Sequence, residues 1–180
     1  MARTTTVARV HAAVLELATA YGPASLTMEG IAAKAGVGKQ TLYRTWQSVP
    51  AILFDALLTR STQQPDTDAR DDGGDLQHQL EELLRSAIEE ITTQPHESLL
   101  RTLAATIQTD EAVAREFQER LLRPQLSTVQ ALFQRGGVSD TQRAAELLLG
   151  PVFYRWFMRL PTMSPAELTQ HVSQVLRCAI

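Results

Sequence analysis

The sequence predicts an all-α protein of about nine helices. We expect an N-terminal three-helix helix-turn-helix head joined through a fourth helix to a C-terminal helical bundle. Apolar residues recur at helical spacing along most of the chain, and no segment shows the alternation of a half-buried strand. In addition, a short apolar segment ends at Gly36 and a second begins near Gly38. Two short helices joined by a tight glycine-containing turn form a helix-turn-helix.

The ends of the first helices are marked by residues with known terminal preferences. Residues 6–21 carry one apolar stripe, and Gly22 is expected to end this first helix. Thr27 is placed to cap the second helix, and Gly36 to take the positive φ of the turn that follows it. Ser48 is placed to cap the fourth helix. Four short helices therefore fit into the first 60 residues.

A polar stretch separates two predicted domains. Residues 61–75 are rich in aspartate and glycine and have no large apolar residue, which predicts a loop or linker. Residues 1–60 then form the helix-turn-helix domain, and residues 76–180 form a second, helical domain. Within the latter, Pro124 predicts a kink or break near Arg120 in a helix over residues 110–135.

Charge is distributed unevenly between these domains. The whole chain of 180 residues has a net charge of −3, which alone argues against binding to nucleic acid. Residues 1–60, however, contain six basic and three acidic residues, including both lysines of the chain, Lys34 and Lys39. A basic head on an acidic body fits DNA binding confined to the head, although an uneven distribution can also arise by chance.

Several functional classes lack any signal in the sequence. No uncharged apolar run approaches the ~18 residues that span a membrane. The single cysteine, Cys178, excludes an intrachain disulfide and suits a reducing cytoplasm, where we expect the protein. The histidines have no metal-ligand spacing, and neither a nucleophile with a base nor a phosphate-binding glycine loop is evident. We therefore expect no enzyme activity, no metal and no cofactor.

Residues 7–58 resemble the DNA-binding domain of the tetracycline-repressor-like (TetR) family. The resemblance rests on an ordered pattern at fixed spacing: Leu26-Thr27-Met28, Ile31-Ala32, Ala35-Gly36-Val37, Thr41-Leu42-Tyr43 and Trp46-x-Ser48. The second domain matches more loosely, through Arg120-x-x-Arg123-Pro124 and Leu149-Gly150-Pro151-x-Phe153-Tyr154-Arg155. The family implies a homodimer that binds double-stranded DNA through its heads. It also implies that the second domain supplies the dimer interface and a pocket for an effector.

The resemblance and the residue types together give a set of candidate DNA contacts. They are Thr27, Gly38, Lys39, Gln40, Thr41, Tyr43, Arg44 and Trp46. Lys39, Gln40 and Arg44 have side chains that can bond bases or phosphates, and the Thr41 methyl group can touch a thymine. By resemblance, Tyr43 and Thr27 contact phosphates. The alternative is a solvated helix face, with Tyr43 and Trp46 packed in the core.

The second domain supplies candidates for the interface and the pocket. Residues 144–158 are apolar nearly all round, which predicts a helix covered both by its own bundle and by a partner subunit. The predicted dimer interface comprises Leu148, Val152, Trp156, Leu168, Val172 and Val175. The predicted pocket, for a small apolar effector, comprises His96, Gln108, Phe117, Leu121, Phe153 and Phe157. The alternative for each is a place in the core of a single chain.

These observations favour a ligand-responsive repressor that binds an inverted-repeat operator as a homodimer. One departure from the family pattern is Val49, where many members have a lysine that contacts a phosphate. A helical protein-interaction module whose head no longer binds DNA is the alternative function, and Val49 is the feature in its favour.

Overall fold

The structure is a computed structural model that describes the backbone of residues 2–61, 75–94 and 96–179, with side chains for 5–59, 75–94 and 96–178. Its helices are α1 (Ala2–Tyr21), α2 (Met28–Ala35), α3 (Lys39–Thr45), α4 (Val49–Ser61), α5 (Leu76–Thr92), α6 (His96–Thr106), α7 (Glu111–Phe117), α8 (Arg123–Arg135), α9 (Thr141–Phe157) and α10 (Pro165–Ala179). A 3-10 turn, Pro23–Ser25, follows α1, and a π-helical turn, Gln118–Leu122, links α7 to α8.

The all-α prediction is confirmed. Residues 111–135 are helical without interruption, so the described residues form nine separate helices and no strand. The predicted linker, residues 61–75, lies outside the described residues except at its two ends. The prediction of where one domain ends therefore stays untested at this segment.

One unit of the structure is built from α1–α4 together with α6 and α7. Helix α1 packs against α2 and α4, and α4 also packs against α6 and α7. Fully buried side chains form its core, among them Val10, Ile31, Leu42 and Phe54. The rings of Phe54 and Phe117 lie 6.3 Å apart. The contacts thus group α6 and α7 with the helix-turn-helix, whereas the sequence pattern assigned them to the second domain.

Local capping bonds begin the short helices of this unit as predicted. The Thr27 hydroxyl accepts a bond from the N–H of Gly30 at 3.0 Å, and the Ser48 hydroxyl accepts from the N–H of Ala51 at 3.3 Å. Each bond satisfies a backbone donor that the first helical turn leaves unpaired. Helix α1 ends immediately before Gly22, which has a φ of 80°.

The other unit is built from α5, α8, α9 and α10. Helix α9 packs against α8, α10 and α5, and α5 also packs against α8 and α10. The side chains of Leu80, Phe133, Leu148 and Val172 are fully buried between them. Helix α10 begins with reciprocal bonds between Ser164 and Glu167, each side chain accepting from the other residue's backbone N–H.

A π-helical turn lies where Pro124 predicts a kink or break in the helix over residues 110–135, and the helix continues through it without interruption. Pro124 has no N–H to donate to the carbonyl of Arg120, and its ring clashes with that carbonyl in a regular α-helix. The chain widens to the π form over Gln118–Leu122, directly before Pro124.

No helix within the described ranges is long and apolar enough to cross a membrane. In the same part of the chain, no group of three or more histidine, cysteine, aspartate or glutamate residues is placed to hold a metal ion.

Candidate nucleic-acid interface

Helices α2 and α3 are joined by a three-residue turn, residues 36–38. Gly36 has φ 62° and ψ 41°, the left-handed conformation that ends α2, so the positive φ predicted for it is confirmed. Gly38 then takes an extended conformation, with φ −69° and ψ 142°, and precedes the first residue of α3. Because a side chain at Gly36 would strain the backbone, glycine at this position sets the angle at which α3 leaves the turn.

An arginine on α1 holds this turn. Nη2 of Arg9 donates to the carbonyl of Ala35 and, at 2.9 Å, to the carbonyl of Gly36. These carbonyls lie at the end of α2, where a positive charge is favourable. A Cβ atom added at Gly36 would lie 2.6 Å from Nη2 of Arg9. No local sequence pattern marks Arg9 for this role, because its contacts join residues that lie 26 and 27 positions apart.

Helix α3 is anchored by one side and exposed on the other. Leu42 is fully buried, whereas Lys39, Gln40 and Arg44 are exposed, and Tyr43 keeps 49% of its surface accessible. Residues three and four apart share a helix face, so Gln40, Tyr43 and Arg44 form one polar surface. Of the other predicted contacts, Thr27 and Gly38 are exposed and Thr41 is half-buried. The structure therefore brings seven of the eight predicted DNA-contacting residues to the surface of α2, α3 and their turn.

Two of the cations near this surface are held by carboxylates. Nζ of Lys39 lies 3.3 Å from Oε1 of Glu29, and Nζ of Lys34 lies 2.7 Å from Oε2 of Glu16. A hydrogen bond from the backbone N–H of Glu29, and then the bond from Lys39, lower the pKa of the Glu29 carboxyl. Within side chains 5–59, Arg44 is the one basic residue without an intramolecular partner.

Trp46 is the exception among the predicted DNA contacts. Only 6% of its surface is exposed, and its indole Nε1–H donates to Oδ2 of Asp55 on α4 at 3.1 Å. The expectation that this N–H reaches the DNA backbone is therefore corrected, because the donor is already used inside the protein. Instead, Trp46 ends α3 and fixes that end against α4.

The same carboxylate oxygen binds a buried histidine. Nε2 of His11 lies 3.2 Å from Oδ2 of Asp55, and since a carboxylate can only accept, Nε2 carries the proton. The rings of His11 and Trp46 lie 5.8 Å apart. Burial lowers the pKa of His11, and the charge and hydrogen bond of Asp55 offset this only in part. The three residues, which we call the His11–Asp55–Trp46 cluster, connect α1, the end of α3 and α4.

Val49 is the first residue of α4 and is half-buried. It therefore offers no charge where the family pattern has a phosphate-binding lysine, and the weaker, less salt-sensitive DNA binding expected from this departure stays a prediction.

The predicted interface residues are occupied within their own unit. Leu148, Val152, Leu168, Val172 and Val175 are buried in the core that α9 and α10 share. Trp156 is half-buried and donates its Nε1–H to the carbonyl of Ile91 at 2.9 Å. These five core side chains have little surface left for a partner subunit, which argues against their place in an interface, and the assignment of Trp156 stays a prediction. The exposed apolar residues on and just after α9 are instead Leu147, Phe153, Tyr154, Phe157, Met158 and Leu160.

The predicted pocket residues divide between the two units. His96, Gln108 and Phe117 belong to the first unit, and Leu121, Phe153 and Phe157 to the second. Phe153 and Phe157 are 40% and 57% exposed. A cavity of about 10 Å³ lies in the second unit, beside Trp156 and Met163. This volume holds roughly one water molecule, whereas ligand pockets measure about 300–1,000 Å³, so the effector pocket stays a prediction.

Known proteins resemble this chain over nearly its whole length. Residues 11–55 match bacterial regulatory proteins of the tetR family, and residues 70–175 match the tetracyclin repressor-like C-terminal domain. The HTH-type transcriptional regulator AqdR of Rhodococcus erythropolis is 32% identical over 174 residues, which cover 93% of this chain and 82% of AqdR. The HTH-type regulator YdeS of Bacillus subtilis, itself uncharacterized, is 26% identical over 81% of this chain and 75% of its own length.

Solved structures agree with this assignment. The crystal structure of the TetR family transcription regulator SCO0332 superposes with a TM-score of 0.76 at 28% identity, covering 96% of this chain and 97% of SCO0332. A TetR-family regulator of Mesorhizobium loti superposes with a TM-score of 0.70 at 21% identity, covering 96% and 94%. The chain therefore belongs to the tetR family of bacterial regulatory proteins, and it is a DNA-binding transcriptional regulator with a helix-turn-helix.

Proposed function

We propose that this regulator is a ligand-responsive repressor that binds an inverted-repeat operator as a homodimer. The observation that carries the proposal is the surface of α3, where Lys39, Gln40, Tyr43 and Arg44 are exposed while Leu42 is fixed in the core. A helix anchored on one side and polar on the other can enter the major groove without rearrangement.

We assign different DNA contacts to the different polar residues of α3. Gln40 can form paired bonds to adenine, and Arg44, which has no intramolecular partner among the described residues, is available for guanine or a phosphate. We assign Tyr43 and Thr27 to phosphates, contacts that fix the position of the protein and carry no sequence information. The hydroxyl of Thr27 accepts a bond from Gly30 and keeps its own proton to donate.

A homodimer formed through α9 would contain two copies of α3, the helix that we propose enters the major groove. An exposed apolar stripe runs along the end of α9. Phe157 lies one helical turn after Phe153, and Met158 lies one turn after Tyr154. Leu147 extends this stripe toward the start of α9. Soluble monomers seldom expose a large contiguous apolar patch, which supports a second copy of the chain as its cover. A two-fold dimer in turn matches an operator with two half-sites about 34–36 Å apart.

The proposed repressor releases its operator when an effector binds. We propose a small apolar compound, which releases DNA by binding more tightly to a conformation in which the heads fit the operator poorly. A thermal-shift screen of apolar compounds, followed by titration of each stabilising compound into the protein–DNA complex, tests this. A stabilising compound that leaves DNA affinity unchanged at saturation would argue against the repressor mechanism.

Selection of bound duplexes from a random DNA pool tests DNA recognition directly. The selected sequences are expected to contain an inverted repeat, and the double variant Lys39→Ala/Tyr43→Ala is expected to lose the selection. The control is Arg85→Ala, which removes an exposed charge in the second unit. If the pool yields no repeat and the double variant binds DNA as the parent does, the alternative of a protein-interaction module replaces the proposed function.

A further inference from the structure

Lys39, the first residue of α3, is paired with an acidic residue of α2. Nζ of Lys39 lies 3.3 Å from Oε1 of Glu29, and the two side chains are 63% and 52% exposed. Glu29 is the only acidic residue between Thr27 and Trp46. An ion pair this exposed is weak and exchanges readily, so a phosphate that approaches Lys39 competes directly with Glu29.

The carboxylate of Glu29 keeps its charge at neutral pH. A hydrogen bond from its own backbone N–H and the bond from Lys39 both lower its pKa. The Glu29–Lys39 pair therefore contributes no net charge to the exposed surface of α3. DNA binding by that surface depends on its positive charge. Affinity for DNA of any sequence comes mainly from cations that displace counterions from phosphates, and a neutralised lysine displaces none until it leaves its partner.

We propose that Glu29 is an intramolecular competitor of DNA for Lys39, and that it lowers the affinity of this regulator for DNA irrespective of sequence. The inference rests on DNA binding through α3 and adds a residue that sets its strength. On DNA, Lys39 exchanges the Glu29 carboxylate for a phosphate or a base acceptor. Away from DNA, the pair leaves Arg44 as the cation of α3 that no carboxylate neutralises among the described side chains.

Removing the charge of Glu29 is expected to tighten binding to random DNA. Glu29→Gln keeps the shape of the side chain and its capacity to accept a hydrogen bond. Exposed ion pairs of this kind correspond to about a two- to fivefold change in an equilibrium constant, so we expect an affinity increase of that size. Because Lys39 then acts as a full cation, the slope of log K against log salt should steepen by up to about 0.9.

Fluorescence anisotropy with a labelled duplex of scrambled sequence, titrated with the full-length protein at several salt concentrations, measures both quantities. The variants are Glu29→Gln, Lys39→Gln and the double variant. The matched control is Glu82→Gln, because Glu82 is an exposed carboxylate paired with an arginine, Arg85, in the second unit. We expect tighter binding for Glu29→Gln, no change for Glu82→Gln, and less than half of the Glu29→Gln effect when Lys39 is already glutamine.

Two results would overturn the inference. One is unchanged affinity of Glu29→Gln, within about 1.5-fold, while the unsubstituted protein binds the duplex with normal sensitivity to salt. The other is equal tightening by Glu29→Gln in the presence and absence of Lys39, which would make the effect one of general charge. Absence of salt-sensitive binding by the unsubstituted protein would instead count against DNA binding itself.

Discussion

Replacement of Asp55 by alanine removes the acceptor at the centre of the His11–Asp55–Trp46 cluster. One oxygen, Oδ2, accepts from the indole of Trp46 at 3.1 Å and from the imidazole of His11 at 3.2 Å. Both partners are only 6% exposed, so water replaces the lost acceptor poorly. We therefore expect the Asp55→Ala protein to be less stable and to hold the end of α3 less firmly.

The size of this effect follows from the two donors left behind. A buried donor that loses its acceptor costs about 1–3 kcal/mol, so two donors with partial relaxation correspond to about 2–4 kcal/mol. Whole domains are stable by only about 5–15 kcal/mol, so the loss is a large share of the total. With a urea dependence of about 2 kcal/mol per molar, the unfolding midpoint should fall by about 1–2 M.

Urea unfolding followed by tryptophan fluorescence is the appropriate assay. The chain has two tryptophans, so the experiment is done with Trp156→Phe in every sample, which leaves Trp46 as the reporter. Asp55→Asn provides a matched comparison, because an amide oxygen can occupy the place of the shared carboxylate oxygen. We expect Asp55→Asn to lose less than half of the stability that Asp55→Ala loses.

The exposed residue Asp75 supplies the control for loss of an aspartate as such, because it makes no side-chain capping bond to α5. A midpoint shift for Asp55→Ala no larger than that for Asp75→Ala would refute the assigned role of the cluster. Equal losses from Asp55→Asn and Asp55→Ala would show that the charge matters rather than the shared acceptor.

Three further outcomes are expected. Gly36→Ala should lower the free energy of unfolding by about 1–3 kcal/mol, since alanine is strained at positive φ and its Cβ displaces Arg9; calorimetry should show a melting temperature about 3–9 °C lower. Burial lowers the pKa of His11 in the folded state below its ordinary 6.5, so the stability that neutral His11 contributes is complete above that pH and is lost as the pH falls through the lowered pKa. Melting curves from pH 7.5 down to 5 should show this loss, and His11→Gln should reduce it whereas exposed His78→Gln should not. Arg44→Gln should weaken binding to scrambled DNA and reduce the salt slope by about 0.9, as measured by anisotropy.

The sequence predicts the limits of the short helices well because their signals are local. Thr27 and Ser48 cap their helices through backbone N–H groups only three residues away, and Gly36 acts through its own φ. Pro124 likewise acts on the turn directly before it. In each case the side chain and the backbone group that it changes lie within one helical turn, so the residue type itself carries the information.

The parts of the site that the sequence analysis missed depend on contacts between distant residues. Arg9 binds carbonyls 26 and 27 residues away, and His11 binds Asp55 across 44 residues. Trp46 illustrates the consequence. The N–H of an indole at the end of α3 can donate either to a DNA phosphate or to a buried carboxylate, and the residue type alone does not distinguish the two. The position of Asp55 beside Trp46 determines which acceptor the indole uses. This position depends on how α4 packs, which no spacing in the sequence indicates.

The apolar helix α9 shows how the same limit affects the interface. Its sequence is apolar nearly all round, which predicts two covered sides without saying which side each neighbour takes. In the structure, Leu148 and Val152 share one buried core with Val172 and other apolar residues of α10, a helix that packs against α9. Phe153 and Phe157, assigned from the sequence to a pocket, are left at the surface. Which residues of α9 remain exposed to a partner therefore depends on the rotation of α9 about its own axis, which its contacts with α10 and α5 determine.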